Sequence, residues 1–221
     1  MISSAVLQII AIVTMVIDHI GYYLLPDCII LRIIGRLAFP IFAFMLVEGF
    51  RHTRSRHRYF ARLVIAAAIS QVLIYLLSYL YNYYYGHNVI FTLAFAFITL
   101  MCAEQGGFYL VAVPLLILAA GALECEYGVY GVVLVLGYYY ANRLFANRII
   151  LRIMAYLIVL VATMSSLALD NNWIIQIFGI FAIAPIALYS GKKGRRLPRL
   201  FGYVFYPAHL AVFLLIKLLF F

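Results

Sequence analysis

The sequence predicts an all-α, polytopic membrane bundle of about nine helices, and three observations predict it. Hydrophobic residues fill 68% of the 221 positions and charged residues 10%, against roughly 45–50% and about 25% in a soluble domain. So few charges cannot cover a water-facing surface, and so much apolar surface excludes a disordered chain. The apolar residues fall in runs close to the ~20 residues that cross a hydrocarbon core, separated by short polar loops. The formal charge of +9 collects in alternate loops, which is the positive-inside pattern. That pattern accounts for the basic balance, and no nucleic-acid partner is expected.

In chain order the spans are about 5–25, 28–49, 60–81, 89–103, 108–123, 128–141, 149–168, 173–189 and 201–220. Met1-Ile2-Ser3-Ser4 lacks a basic stretch, and the run after it is too long for a cleavable signal, so the first span should persist as a helix. Pro40 should kink the second. The fourth, fifth and sixth are short, which reads as partial re-entry or a locally thin bilayer. Basic loops at 51–58, 142–148 and 191–196 share a side with the N-terminus; the opposite loops carry Asp27, His87, Glu124, Glu126 and Asp170. The prediction is a single transmembrane helical domain over 1–221, N-terminus cytoplasmic and C-terminus outside. The turn at 103–108 is its weakest point, since losing a span there reverses everything downstream. Tyr81 and Tyr83 to Tyr85 read as interfacial aromatics. Cys28, Cys102 and Cys125 show no CxxC, so no metal is expected and no disulfide framework is signalled. Cys28 and Cys125 both fall near the outer surface, and spacing does not decide whether they pair.

Charged groups inside a bilayer cost a few kcal/mol or more, so each needs a reason. Asp18 and His19 lie about 20 Å along the first span, in the outer half of the membrane. Neighbours on a helix point about 100° apart, so the two cannot form a face-to-face dyad. Both flank a stripe of Ser4, Gln8, Met15 and Tyr22, expected to face the interior. Arg32 and Arg36 are four apart on one face, where Asp18 or Asp27 can pair with them. Buried structural ion pairs explain these charges as well as a reactive site does. His19 has no cheap structural use in lipid, and imidazole exchanges protons near neutral pH. Asn88, Thr92 and Thr99 share a face of the fourth span, and Ser70-Gln71 lies in the third. Each reads equally as glue between helices or as ligand contact. Glu124, Glu126, Tyr127 and Tyr130 open the sixth span as interface belt or binding residues. The basic segments at 51–62 and 192–199 are topology determinants or a phosphate-binding mouth, guanidinium being suited to phosphate.

Several runs carry a resemblance. Val16-Ile17-Asp18-His19-Ile20-Gly21 and Gly35-Arg36-Leu37-Ala38-Phe39-Pro40 resemble the TraX family of conjugation-associated membrane proteins. The likeness continues through Val47-Glu48-Gly49-Phe50, His52-Thr53-Arg54, Asn88-Val89-Ile90-Phe91-Thr92-Leu93, Tyr127-Gly128-Val129-Tyr130-Gly131 and Phe205-Tyr206-Pro207-Ala208-His209-Leu210. It covers nearly the whole chain. The resemblance implies N-terminal acetylation of pilin subunits in the bacterial inner membrane, and the family is similar to the transmembrane acyltransferases, which take acyl groups from cytoplasmic acyl-CoA.

On that implication His19 is the catalytic base, with Asp18, Arg32 and Arg36 orienting the site and stabilising an oxyanion. An acyl-histidine intermediate is the alternative to direct transfer. The donor, acetyl-CoA, is assigned to Arg51, His52, Arg54, Arg56, Arg58, Arg62, Glu48, Tyr206 and His209. The acceptor, a protein N-terminus or a glycan on the outer face, is assigned to Asn88, Thr92, Glu124, Tyr127 and Tyr130. Two other classes compete. A proton-coupled transporter or channel would use Asp18, His19, Arg32, Arg36 and His209 as a proton path, but no inverted repeat is visible. A non-catalytic assembly protein of a secretion or conjugation apparatus would use the charges only to pair helices.

Overall fold

The computed structural model describes residues 1–81, 86–170, 174–192, 194 and 201–220, and the named elements among them are all helical. Tyr83 to Tyr85, Lys193, Arg195, Arg196 and Arg199 lie outside the described residues. The helices are α1 (Ser4–Tyr23), α2 (Ile29–Gly35), α3 (Ala38–His52), α4 (Arg56–Tyr81), α5 (Val89–Gln105), α6 (Ala112–Ala122), α7 (Gly128–Leu144), α8 (Ile149–Asp170), α9 (Ile183–Ala187) and α10 (Phe201–Phe220). Two 3₁₀ helices, Gly107–Val111 and Ile174–Ala182, precede α6 and α9. Each predicted span meets one helical stretch. Five are long and apolar enough to cross a bilayer: Ser4–Tyr23, Ile29–His52, Arg56–Tyr81, Ile149–Asp170 and Phe201–Leu219. Shorter apolar helices occupy Val89–Gln105, Gly107–Ala122 and Ile174–Ala187.

Two spans differ from expectation. The second is not kinked at Pro40 but broken upstream, at Arg36 and Leu37. Proline has no N–H for the carbonyl four residues back, here Arg36, so the break falls there and Pro40 sits in the first turn of α3. The eighth begins as nine residues of 3₁₀ helix before five of α. At ~2.0 and ~1.5 Å per residue this stretch reaches about 25 Å. Gln176, Gly179 and Ala182 are its buried residues. They recur every third position, and only a three-residue turn stacks such a row on one line.

The chain divides into two compact units, Met1–His52 with Val133–Arg196 and Thr53–Val132 with Leu197–Phe221. In the first, α1 runs antiparallel to α2 and α3, and α8 packs on the Ile174–Ala182 helix. Ile2 N donates to the Leu188 carbonyl at 2.8 Å and Ser4 N to that of Lys192 at 2.9 Å. The N-terminal segment therefore meets the 188–192 loop at one end of this unit. The buried stripe of α1 is Leu7, Ala11, Met15 and His19. Ser4, Gln8 and Tyr22, expected on it, are half-buried; α1 is rotated to turn Asp18 and Gly21 toward α2.

In the second unit α4 packs against α5 and α10, and α5 against α6. An ion pair of Arg56 with Glu104 brings the 103–108 turn beside the start of α4. At the other end His87 N donates to the Glu124 carbonyl at 3.1 Å and Glu126 N to that of His87 at 2.8 Å. The 103–108 turn thus lies at the same end of this unit as the start of α4. Cys28, Cys102 and Cys125 are free thiols.

Candidate functional site

In the first unit a charge cluster forms where α1 meets α2. Gly35 faces Asp18 so closely that a Cβ there would overlap the Asp18 side chain, and a Cβ on Gly21 would come within 2.8 Å of the Leu31 Cβ. With the two backbones this close, Arg32 Nη1 donates to Asp18 Oδ2 at 2.7 Å and to the Asp18 carbonyl at 3.1 Å. Arg36 Nη2 donates to the other carboxylate oxygen. Asp18, not Asp27, is the shared partner. Arg36 is held further by its Nε on the Arg32 carbonyl at 3.1 Å and its Nη1 on Gln176 Oε1 at 3.2 Å. Arg32 lies over the Tyr22 ring, 4.8 Å from its centroid. Both arginines are buried and Asp18 nearly so. Removing one partner of such a cluster leaves an uncompensated buried charge, a loss of about 3–5 kcal/mol.

His19 is buried one residue away and takes no part in that cluster's ion pairs. As the 100° offset requires, it points elsewhere: Nδ1 lies 3.0 Å from the Met15 carbonyl, and the ring stacks on Tyr23 with centroids 5.9 Å apart. A nitrogen facing a carbonyl carries the proton, which makes Nε2 the basic atom of the neutral ring.

Gln176 is the member of the site that sequence reasoning missed. Its signal was there, a lone carboxamide within an apolar run. So was that of Gly179, where an added Cβ would meet Met164 Sδ at 2.9 Å and the Arg36 carbonyl at 3.3 Å.

The residues assigned to the donor divide between the units. In the first, Arg51 donates to Glu48 at 3.0 Å and to Asn142 Oδ1 at 3.1 Å, and His52 Nδ1 lies 2.8 Å from the Glu48 carbonyl. In the second unit Arg54 and Arg58 are exposed, Arg56 is paired with Glu104, and Arg62 lies against Tyr59 and Tyr203. His209 is buried beside Phe205, Tyr206 and Phe213, its Nδ1 3.1 Å from the Phe205 carbonyl.

Of the residues assigned to the acceptor, Asn88 is wholly engaged in the second unit. It caps α5 by accepting from Ile90 N at 3.0 Å, and it donates to the Ala67 carbonyl and to Gln71 Oε1, both at 2.9 Å. Of its two readings, helix glue is the one these bonds describe. Thr92 donates to the Glu126 carbonyl, tying α5 to the loop before α7. In that loop Glu124 and Tyr127 hold φ of 50° and 63°, a strained region for residues other than glycine. Tyr130 follows in the first turn of α7. Among the described residues no group of three or more His, Cys, Asp or Glu is placed to hold a metal.

These features define a polytopic α-helical membrane protein with a buried arginine–carboxylate cluster beside a buried imidazole. The chain belongs to the TraX family, whose model, described as TraX protein, matches residues 3–217. It is 32% identical over 235 residues to the probable fimbrial assembly protein FimC, serogroup H1, of Dichelobacter nodosus, covering 95% of this chain and 93% of that one. It is 31% identical over 219 residues to Protein TraX of Escherichia coli, covering 94% and 84%. A 44-residue stretch is 50% identical to the uncharacterized protein RP591 of Rickettsia prowazekii, covering 20% and 18%. No solved structure matches the chain.

Proposed function

We propose that the chain is an acyltransferase of the bacterial inner membrane, moving an acetyl group from cytoplasmic acetyl-CoA to an amine or hydroxyl. The acceptor in this reading is the N-terminus of a pilin-like protein on the outer face. The observation that carries it is His19, a buried imidazole whose Nδ1 is engaged, one residue from a carboxylate gripped by two arginines. The fimbrial-assembly name of the Dichelobacter nodosus relative suits a pilin-like acceptor.

In this mechanism the acceptor N–H or O–H gives its proton to His19 Nε2 as it attacks the thioester carbonyl. Arg32 and Arg36, preset by Asp18 on the adjoining face of α1 and by Gln176, stabilise the developing oxyanion through their positive field and not by direct contact. Collapse of the tetrahedral intermediate breaks the C–S bond, and the proton on His19 passes to the departing thiolate. His19→Ala should lower transfer of radiolabelled acetyl from acetyl-CoA by about 10²–10⁴-fold while the protein elutes and melts as the wild type does. A folded variant with the full rate overturns the reading.

The same relative's name also favours a second reading, a non-catalytic assembly protein, under which His19→Ala leaves pilus assembly intact.

A further inference from the structure

Arg62 lies in α4 with its guanidinium 5.7 Å from the ring centroid of Tyr59 and 5.5 Å from that of Tyr203, all three within the second unit. The Tyr203 ring, on α10, also meets the Tyr59 ring edge-on, with centroids 6.2 Å apart. The Tyr203 phenol has a proton of its own to donate. Arg62 Nε is buried and has no hydrogen-bond partner among the described residues. A buried N–H without an acceptor is destabilising, so native structures seldom leave one. Together the two side chains offer one N–H and one O–H to an oxygen acceptor, and two aromatic rings hold the guanidinium in place.

Charge narrows the acceptor. Arg58 precedes Arg62 by one turn and Arg54 lies just before α4; both are exposed, and neither forms an ion pair among the described residues. Glu104 is taken by Arg56. The first turn of α4 holds no acidic residue, so the positive end of its dipole adds to the same field. A multiply charged oxyanion answers this surplus better than a carboxylate, and the guanidinium fork matches phosphate. Arg51 is already engaged by Glu48 and Asn142 in the other unit.

We propose that Arg62 and Tyr203, braced by Tyr59, bind a phosphate ester, with Arg58 closing the site at the start of α4. The proposal rests on the acyl-transfer reading for the ligand's identity, one of the phosphates of the CoA donor. A phospholipid headgroup carries the same chemistry.

The test is calorimetric titration of CoA and of inorganic pyrophosphate into protein in phosphatidylcholine nanodiscs. Wild type is compared with Arg62→Gln, Arg62→Lys and Tyr203→Phe, each checked by thermal unfolding. Arg62→Gln should weaken CoA binding by about tenfold or more, and Tyr203→Phe, which removes only the O–H, by a smaller factor. Arg62→Lys should fall between, because it keeps the charge and loses the fork. If Arg62→Gln does not fold, the other two variants carry the comparison. Equal CoA binding in folded variants and wild type overturns the site while the donor reading stands. If wild type binds neither probe but retains phosphatidylglycerol in native mass spectrometry, and Arg62→Gln releases it, the site stands and the donor reading falls. No difference between wild type and variants with any of the three probes overturns the site outright.

Discussion

Gly35 shows how much of this site depends on one missing methyl group. It sits between Arg32 and Arg36 on the exit from α2, and its Cα hydrogens face the Asp18 carboxylate that both arginines grip. An added Cβ must push Asp18 aside, and the helices around it leave little room for that. Gly35→Ala should lower stability by about 1–3 kcal/mol, read from denaturant unfolding in micelles. A variant as stable as wild type would mean that the Asp18 side chain can move without losing its arginines. Glycine flanked by arginines was visible in the sequence, but it gives no sign of which carboxylate lies opposite. His19 was the more legible residue, because a histidine in an apolar run is anomalous wherever its ring points.

At the level of the element, α5 and the helix at 174–182 illustrate opposite degrees of legibility. The start of α5 could be placed from Asn88, a good capping residue before an apolar run. Its second task, joining the Gln71 side chain and the Ala67 carbonyl of α4, depends on which helix packs beside it. Asn88→Ala should cost about 1–3 kcal/mol, from the lost cap and the lost side-chain bonds to the Ala67 carbonyl and Gln71 Oε1. Thermal unfolding checks this, and acyl-transfer kinetics separate the two readings of Asn88. A raised KM at unchanged stability would make it a ligand contact after all. For the Ile174–Ala182 helix the sequence predicts only an ordinary span, because apolar length does not distinguish α from 3₁₀ winding. Its polar and small residues at every third position were the available signal. The same holds for Pro40, where the carbonyl that loses its partner lies four residues upstream of the ring.

Across the whole molecule, each unit gathers its predicted cytoplasmic segments at one end. In the first, the 188–192 loop meets the N-terminal segment, and Arg51 meets Asn142; in the second, Arg56 meets Glu104. Such pairing within each unit is what an alternating path through a bilayer requires. Cysteine scanning in a background lacking Cys28, Cys102 and Cys125 tests it. Ser55→Cys and Ser190→Cys should react with an impermeant maleimide only once the cytoplasmic face is opened. Asp27→Cys and Asp170→Cys should react in intact cells. Labelling of Ser55→Cys and Ser190→Cys from opposite sides would end the nine-crossing topology. Native Cys125 should label slowly at neutral pH, since burial pushes its thiol up to about 11 and leaves little thiolate below that.

By itself the sequence determined that this protein is a helical membrane bundle and where its helices lie. Those properties are sums of apolar length over local stretches, and no distant residue can cancel them. It also marked Asp18, His19, Arg32 and Arg36 as anomalous, since charge in lipid demands compensation. Only the tertiary structure decided who compensates whom. The rotation of α1 about its axis chose Asp18 for both arginines and turned His19 away from them. Contact between helices distant along the chain brought Gln176 to Arg36 and Tyr203 to Arg62. Such pairings depend on angle and approach distance, which are set by packing and by the glycines that permit it.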